Sequence, residues 1–290
     1  MNTAIQRNGY YGDVEYYSQL KTHYDAKYKI GWFLMNAAPR PCFTPTLLTE
    51  LSDYLSNIKA EMIETKGEKY DYLVVGSNVD GVFNLGGDLD LFQSLIKNRD
   101  RNALLSYATD CIDILYDNIR HFGTDLTTVS LIQGDALGGG FESALSSNLI
   151  IAERGTRMGL PEVLFNLFPG MGAYPLLSHR IGAAAAEKMI LSGKLYTAEE
   201  MFEIGVVDIL AEKGKGELAL YQYIKLAQKS PNTYKAMAKI KDMSNPITYD
   251  QLVAVAEIWA DTALKLTDKD LRMMNRLVNL QSEKANKKSS

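Results

Sequence analysis

Two hydrophobic periods alternate along the chain. Short apolar runs closed by glycine or polar breaks read as buried strands: Tyr28–Met35, Tyr72–Val75 ending at Gly76, Val129–Gln133, Leu149–Ala152 and Val206–Leu210. Between them the period lengthens to that of helices. Thr44 or Thr46 can cap a helix running to about Glu64, with Leu47, Leu48, Leu51, Tyr54, Leu55 and Ile58 on one face. A helical region from Leu89 to about Arg120 follows, then Phe141–Ser147, Ala183–Leu191 and a Thr197-capped helix to Glu203. Strand, glycine turn and helix recurring in this order predict an α/β fold with parallel pairing. Pro39-Arg40-Pro41 breaks the chain after its first strand.

Strand signals stop near Leu210, and residues 216–284 read as three or four amphipathic helices. The expected organisation is therefore a core over 1–210 and a helical subdomain over 211–290. The polar, Tyr-rich segment before about Lys27 carries no assignable pattern, and the polar tail from Glu283 is expected to fray.

Composition narrows the class without naming a function. In 290 residues, 46% are hydrophobic and 23% charged, enough to bury a substantial core. A net charge of −4 provides no electrostatic reason to expect nucleic-acid binding. Cys42 and Cys111 are the only cysteines, too few for a disulfide framework or a zinc site, so a reducing cytoplasm is expected. His23, His121 and His179 lack metal spacing, and neither a signal peptide nor a membrane span is read. No metal, nicotinamide or flavin is implied.

The candidate chemistry sits at three turns: Phe83-Asn84-Leu85-Gly86-Gly87-Asp88, Gly138-Gly139-Gly140-Phe141-Glu142 and Gly159-Leu160-Pro161-Glu162. Glycine lets a backbone approach a ligand closely and present an N–H to developing negative charge. The first turn fits no dinucleotide or P-loop spacing, and Asp88 reads as the cap of the helix beginning at Leu89. The triple glycine admits two readings, backbone access for an anion near a helix N-terminus or tight helix–strand packing. Glu142 and Glu162 also admit two: first-turn acids favoured by the helix dipole, or buried catalytic carboxyls of raised pKa.

At these segments the chain resembles the crotonases, the enoyl-CoA hydratase/isomerase superfamily. The likeness runs from about Tyr28 to Leu277 and is strongest from Asp71 to Asp208, where Phe168-Pro169-Gly170-Met171-Gly172-Ala173 and Ala198-Glu199-Glu200-Met201-Phe202-Glu203-Ile204-Gly205-Val206-Val207-Asp208 stand in the family's order. A narrower likeness is to synthases of the diffusible signal factor, a cis-2-unsaturated fatty acid of bacterial cell–cell signalling. It rests on Pro39-Arg40-Pro41-Cys42-Phe43-Thr44-Pro45, on the three turns above and on Glu257-Ile258-Trp259-Ala260-Asp261-Thr262-Ala263. Ordinary hydratases usually carry Ala-Gly-Ala-Asp at the first turn, and this chain departs from them.

The resemblance implies a crotonase-type spiral of ββα turns with a helical C-terminal region, assembled as a trimer or dimer of trimers. It implies an oxyanion hole from the Gly87 and Gly139 N–H groups, beside Gly86 and Gly138, and a catalytic pair in Glu142 and Glu162. Met171, Trp259 and Leu277 would line an acyl tunnel, although helical spacing alone reads them equally well as core. The implied substrate is a 3-hydroxyacyl thioester of acyl carrier protein or coenzyme A, dehydrated to a 2-enoyl thioester and then hydrolysed. Rival expectations are a conventional hydratase or isomerase of fatty acid oxidation, and a crotonase-fold protein that binds a sensor kinase.

Overall fold

The structure, a computed structural model, describes residues 17–38, 40–244 and 246–287, with backbone alone for 280–287. Pro39 of the expected break lies outside the described residues, as do 1–16 and 288–290.

Six strands make the larger sheet. β1 (Leu20–Asp25) pairs antiparallel with β2 (Ile30–Met35), and β2 pairs in parallel with β3 (Tyr72–Ser77). Next, β4 (Val82–Asn84) leaves this sheet for a smaller one, and β5 (Thr127–Ile132) returns to lie beside β3. The alternation repeats: β6 (Asp135–Leu137) pairs with β4, β7 (Leu149–Glu153) with β5, and β8 (Arg157–Gly159) with β6, all in parallel. β9 (Leu195–Thr197) closes the small sheet antiparallel to β8, and β10 (Ile209–Ala211) the large one. Each unit places one strand in each sheet and then a helix, the ββα winding that the resemblance implies.

Burial on both faces explains why the strands of the large sheet read as continuous apolar runs. Phe33, Leu73, Val75, Ile132, Ile150 and Ala152 face the main core, while Ile30, Trp32, Val74, Val129, Leu131 and Ile151 face a second cluster. Helix α1 (Pro45–Glu64) fills the main core with the predicted Leu47, Leu48, Leu51, Tyr54, Leu55 and Ile58. Its cap is Thr44, whose hydroxyl accepts from the Leu47 N–H at 3.0 Å.

The helical region expected from Leu89 to Arg120 is two helices, α2 (Leu89–Lys97) and α3 (Arg101–Ile119). Arg99 turns left-handed at φ 52°, and Asp100 caps the new helix through the Ala103 N–H. α4 (Gly139–Leu145) starts two residues earlier than expected, and α5 (Ala173–Ile181) is a helix that the sequence pattern does not announce. α6 (Ala183–Ser192) and the Thr197-capped α7 (Ala198–Glu203) stand where the alanine run and capping box place them.

The strand expected over Val206–Leu210 is confined to β10. The Val206 and Val207 N–H groups bond back to the Met201 carbonyl at 2.9 and 3.1 Å, so they end α7 and cannot join a ladder. Four helices follow: α8 (Gly216–Ala227), α9 (Pro231–Ser244), α10 (Tyr249–Ala263) and α11 (Asp268–Lys287). α8 covers the second cluster with Leu220 and Ile224, while α10 and α11 enter the main core with Leu252, Ala256, Trp259, Leu271 and Met274. The polar tail is helical as far as Lys287.

Candidate active site

All three glycine turns leave the C-terminal ends of adjacent parallel strands of the small sheet. In register, Asn84 of β4 stands beside Ala136 of β6, and Leu137 of β6 beside Gly159 of β8. The Gly138 N–H continues that pairing to the Gly159 carbonyl at 2.9 Å. Sequence-distant turns therefore open side by side, as ligand sites do at strand ends in parallel sheets.

They line one cavity of about 520 Å³, a volume suited to a small ligand. Its wall includes Gly86, Gly87, Gly138, Gly139, Glu142, Glu162, Met171, Trp259 and Leu277. The remaining wall is mostly apolar, with Phe92, Ala108, Phe165 and Leu167, and an Arg157–Asp135 ion pair adds charge. Trp259 belongs both to the main core and to the cavity wall. A β-carbon on Gly170 would stand 2.5 Å from the Trp259 Cγ, and the missing side chain is what admits the indole.

The Gly87 and Gly139 amides have a shared geometry. A β-carbon on Gly139 would lie 3.5 Å from the Gly87 nitrogen, and one on Gly86 3.0 Å from the Gly139 nitrogen. The Gly86 carbonyl accepts from the Phe43 N–H at 2.8 Å; across a trans peptide this turns the Gly87 N–H the opposite way. The Gly138 carbonyl accepts from the Phe141 and Glu142 N–H groups inside α4, which leaves the Gly139 N–H at the helix mouth. Among the described residues, neither the Gly87 nor the Gly139 N–H donates a hydrogen bond.

The triple glycine divides its labour. Gly140 is a packing glycine, since a β-carbon there would lie 2.2 Å from the Asn84 carbonyl oxygen. Gly138, at φ 53°, needs glycine for its conformation, and Gly139 faces the cavity. Gly140 carries the packing reading, while Gly138 and Gly139 open on the cavity. Asp88 caps α2 by accepting from the Leu91 N–H, the structural role read from sequence.

Glu142 is only 1% exposed. Its Oε1 accepts from the Met171 N–H at 2.8 Å and the Ala173 N–H at 2.9 Å, which fastens it to the first turn of α5. Burial raises its pKa to about 7, against the opposing pull of those two amides. Glu162 lies in the first turn of a short 3-10 helix, Pro161–Phe165, and among the described residues its buried Oε2 has no hydrogen-bond partner. Burial first, and then the charge of Glu142, push it up to about 8, with its own backbone N–H opposing. A pair in this range holds one shared proton near neutral pH, leaving one acid and one base.

Four contributors escape the sequence analysis. The Met171 and Ala173 amides anchor Glu142, signalled only by the Gly170-Met171-Gly172 turn, where Gly172 adopts φ 112°. Phe92 lies directly under Gly87, at 2.6 Å from where its β-carbon would be. Tyr107, a buried residue of α3, also reaches the cavity wall. Among the described residues no cluster of His, Cys, Asp and Glu is placed to hold a metal ion, and no helix is long and apolar enough to cross a membrane.

Known proteins share this architecture. Residues 34–284 match the family model described as enoyl-CoA hydratase/isomerase. The fatty acid oxidation complex subunit alpha of Pseudomonas syringae pv. tomato is 31% identical over 199 residues, which is 69% of this chain and 26% of that protein. The chain thus spans about a quarter of the length of such relatives. The crystal structure of an enoyl-CoA hydratase from Bacillus halodurans superposes with a TM-score of 0.74 at 19% identity, covering 89% of this chain and all of the other. The structure of Pseudomonas aeruginosa DspI superposes with a TM-score of 0.63 at 22% identity, over 80% and 90% of the two chains. With that match over most of its length, the chain belongs to the enoyl-CoA hydratase/isomerase family and carries the crotonase fold.

Proposed function

We propose that this protein dehydrates a 3-hydroxyacyl thioester, of acyl carrier protein or coenzyme A, and hydrolyses the resulting 2-enoyl thioester to a cis-2-unsaturated fatty acid signal. The observation that carries the reading is the convergence of two unengaged main-chain amides and two buried carboxyls of raised pKa on one apolar cavity.

The thioester oxygen would sit between the Gly87 and Gly139 N–H groups. As the C2 proton leaves, charge moves onto that oxygen, and donors already in place stabilise it without reorganising. Glu162, on the cavity wall, takes the C2 proton. Glu142 assists departure of the 3-hydroxyl through its Oε2, since the Met171 and Ala173 amides hold its Oε1 as an acceptor, and the proton passes between the two coupled carboxyls. A water then attacks the thioester carbonyl while giving its proton to the glutamate left as carboxylate, and the same amide pair stabilises the tetrahedral oxyanion. Collapse breaks the C–S bond, the departing thiolate of the carrier taking up that proton as the free acid is released. Met171, Trp259 and Leu277 hold the acyl chain. The likeness of the three turns and of Glu257–Ala263 to signal-factor synthases supports the hydrolytic step and the cis product.

Run in reverse without hydrolysis, the same pair hydrates a 2-enoyl thioester. The relationship to a protein named as a fatty acid oxidation subunit favours this as the second reading. Incubation with a 3-hydroxyacyl carrier-protein thioester, followed by mass spectrometry, separates the two. Free cis-2-enoic acid supports the synthase; only a reversible trans-enoyl thioester supports the hydratase.

A further inference from the structure

The Gly87 amide is held in place by a side chain from another element. Phe43, just before α1, and Gly87 form a single parallel β-bridge. Its first rung is direct, the Phe43 N–H to Gly86 carbonyl bond of 2.8 Å. At its second rung stands Tyr107 of α3, whose hydroxyl accepts from the Asp88 N–H at 3.2 Å and donates to the Phe43 carbonyl. The two rungs bracket the Gly87 peptide, and together they decide where its N–H aims.

From this geometry we infer that Tyr107 is a positioning residue, an oxygen clamp that sets the direction of the Gly87 N–H at the cavity. It is not itself a proton donor to substrate, because its one proton is committed to the Phe43 carbonyl. Its ring is fixed edge-on to Phe92 at 5.0 Å, and Phe92 stands edge-on to Trp259 at the same separation. Phe92 in turn fills the space beneath Gly87. The row Tyr107–Phe92–Trp259 thus connects the acyl wall of the cavity to the turn that presents the amide. Burial keeps the phenol well above its ordinary pKa range, so the clamp stays protonated across the working pH range.

The inference deepens the oxyanion reading and rests on it, so its test has one arm that needs no turnover. In Tyr107→Phe the ring stays in the row while the bridging oxygen is lost, and the Asp88 N–H and Phe43 carbonyl can close directly on one another. Hydrogen–deuterium exchange of the peptides containing Gly87 and Asp88 should then change at least severalfold, with the rest of the protein unaffected. The second arm uses acetoacetyl-CoA, a 3-ketoacyl thioester whose enolate has its own near-ultraviolet band. Tyr107→Phe should bind it with unchanged Kd yet show ten- to hundredfold less enolate, as expected when a donor is misaimed by a fraction of an ångström. Tyr70→Phe, which removes another buried tyrosine hydroxyl, bonded to Glu61 and off the cavity wall, serves as the control and should change neither reading. Unchanged exchange in Tyr107→Phe overturns the clamp, as does a loss of enolate in proportion to a loss of binding. If the wild-type protein binds the probe without forming enolate, the oxyanion reading fails, and the exchange arm still decides the clamp.

Discussion

Glu162 occupies the space that a side chain on Gly138 would need: its Oε1 lies 2.6 Å from the position of a β-carbon there. The turn that precedes one carboxyl is thereby shaped around the other. Glu142 follows Gly138 by one helical turn, and the Glu142 N–H donates to the Gly138 carbonyl at 3.0 Å. The two acids are coupled through a single glycine.

Gly138→Ala should therefore be costly in two ways. Gly138 has φ 53° and ψ −128°, where a side chain is strained by about 1–3 kcal/mol, and the new methyl must also displace the Glu162 carboxyl. Urea unfolding should show the stability loss, and activity should fall further than the residual folded fraction explains. A variant with full activity would sink the proposed coupling.

The adjacent glycines should separate by stability. Gly140→Ala pushes a methyl into the Asn84 carbonyl and should destabilise by about 3 kcal/mol. Gly139→Ala meets the end of the Met171 side chain, a flexible thioether that can turn away, and should cost about 1 kcal/mol or less. Equal losses in the two denaturation curves would contradict this assignment of packing and cavity roles.

Glu142→Gln and Glu162→Gln should each lower dehydration by about a hundredfold or more while leaving the circular dichroism spectrum intact. Glutamine preserves shape and, at position 142, a carbonyl oxygen for the Met171 and Ala173 amides. Turnover retained by both variants would remove the acid–base mechanism.

Stability should fall as pH rises, with a sign set by the raised carboxyl pKa values. Below about pH 4.5 both glutamates are protonated in folded and unfolded chains alike, and neither opposes folding. Between about pH 4.5 and the folded-state values of about 7 and about 8, the unfolded chain has released protons that the folded one retains, so stability drops across that window. The Glu142→Gln/Glu162→Gln double variant escapes this effect. Its melting temperature relative to wild type should rise from pH 5 to about pH 8 and then level off. A difference that is flat with pH would show the carboxyls to be ordinarily solvated.

What one residue type implies by itself was legible in the chain. The apolar runs of β2, β3, β5 and β7 stand out because both faces of their sheet are buried, and Thr44, Asp88 and Thr197 read as caps since capping is local. The glycine turns and glutamates could be named as candidates on the same ground. Strands β4, β6 and β8, three residues each, were not legible, because a period of two cannot show itself in so short a run.

Those illegible strands decide the site. Their parallel register sets the turn after Asn84 beside the one after Leu137, and that one beside the turn after Gly159, which brings the Gly87 and Gly139 amides together and lets the charge of Glu142 raise Glu162. Tyr107 and the Met171 amide acquire their places only through contacts with residues tens of positions away. Sequence determines which groups can donate, accept or hold a proton. Which of them meet, and how far water is kept from them, depends on packing between segments that carry no mutual signal in the chain.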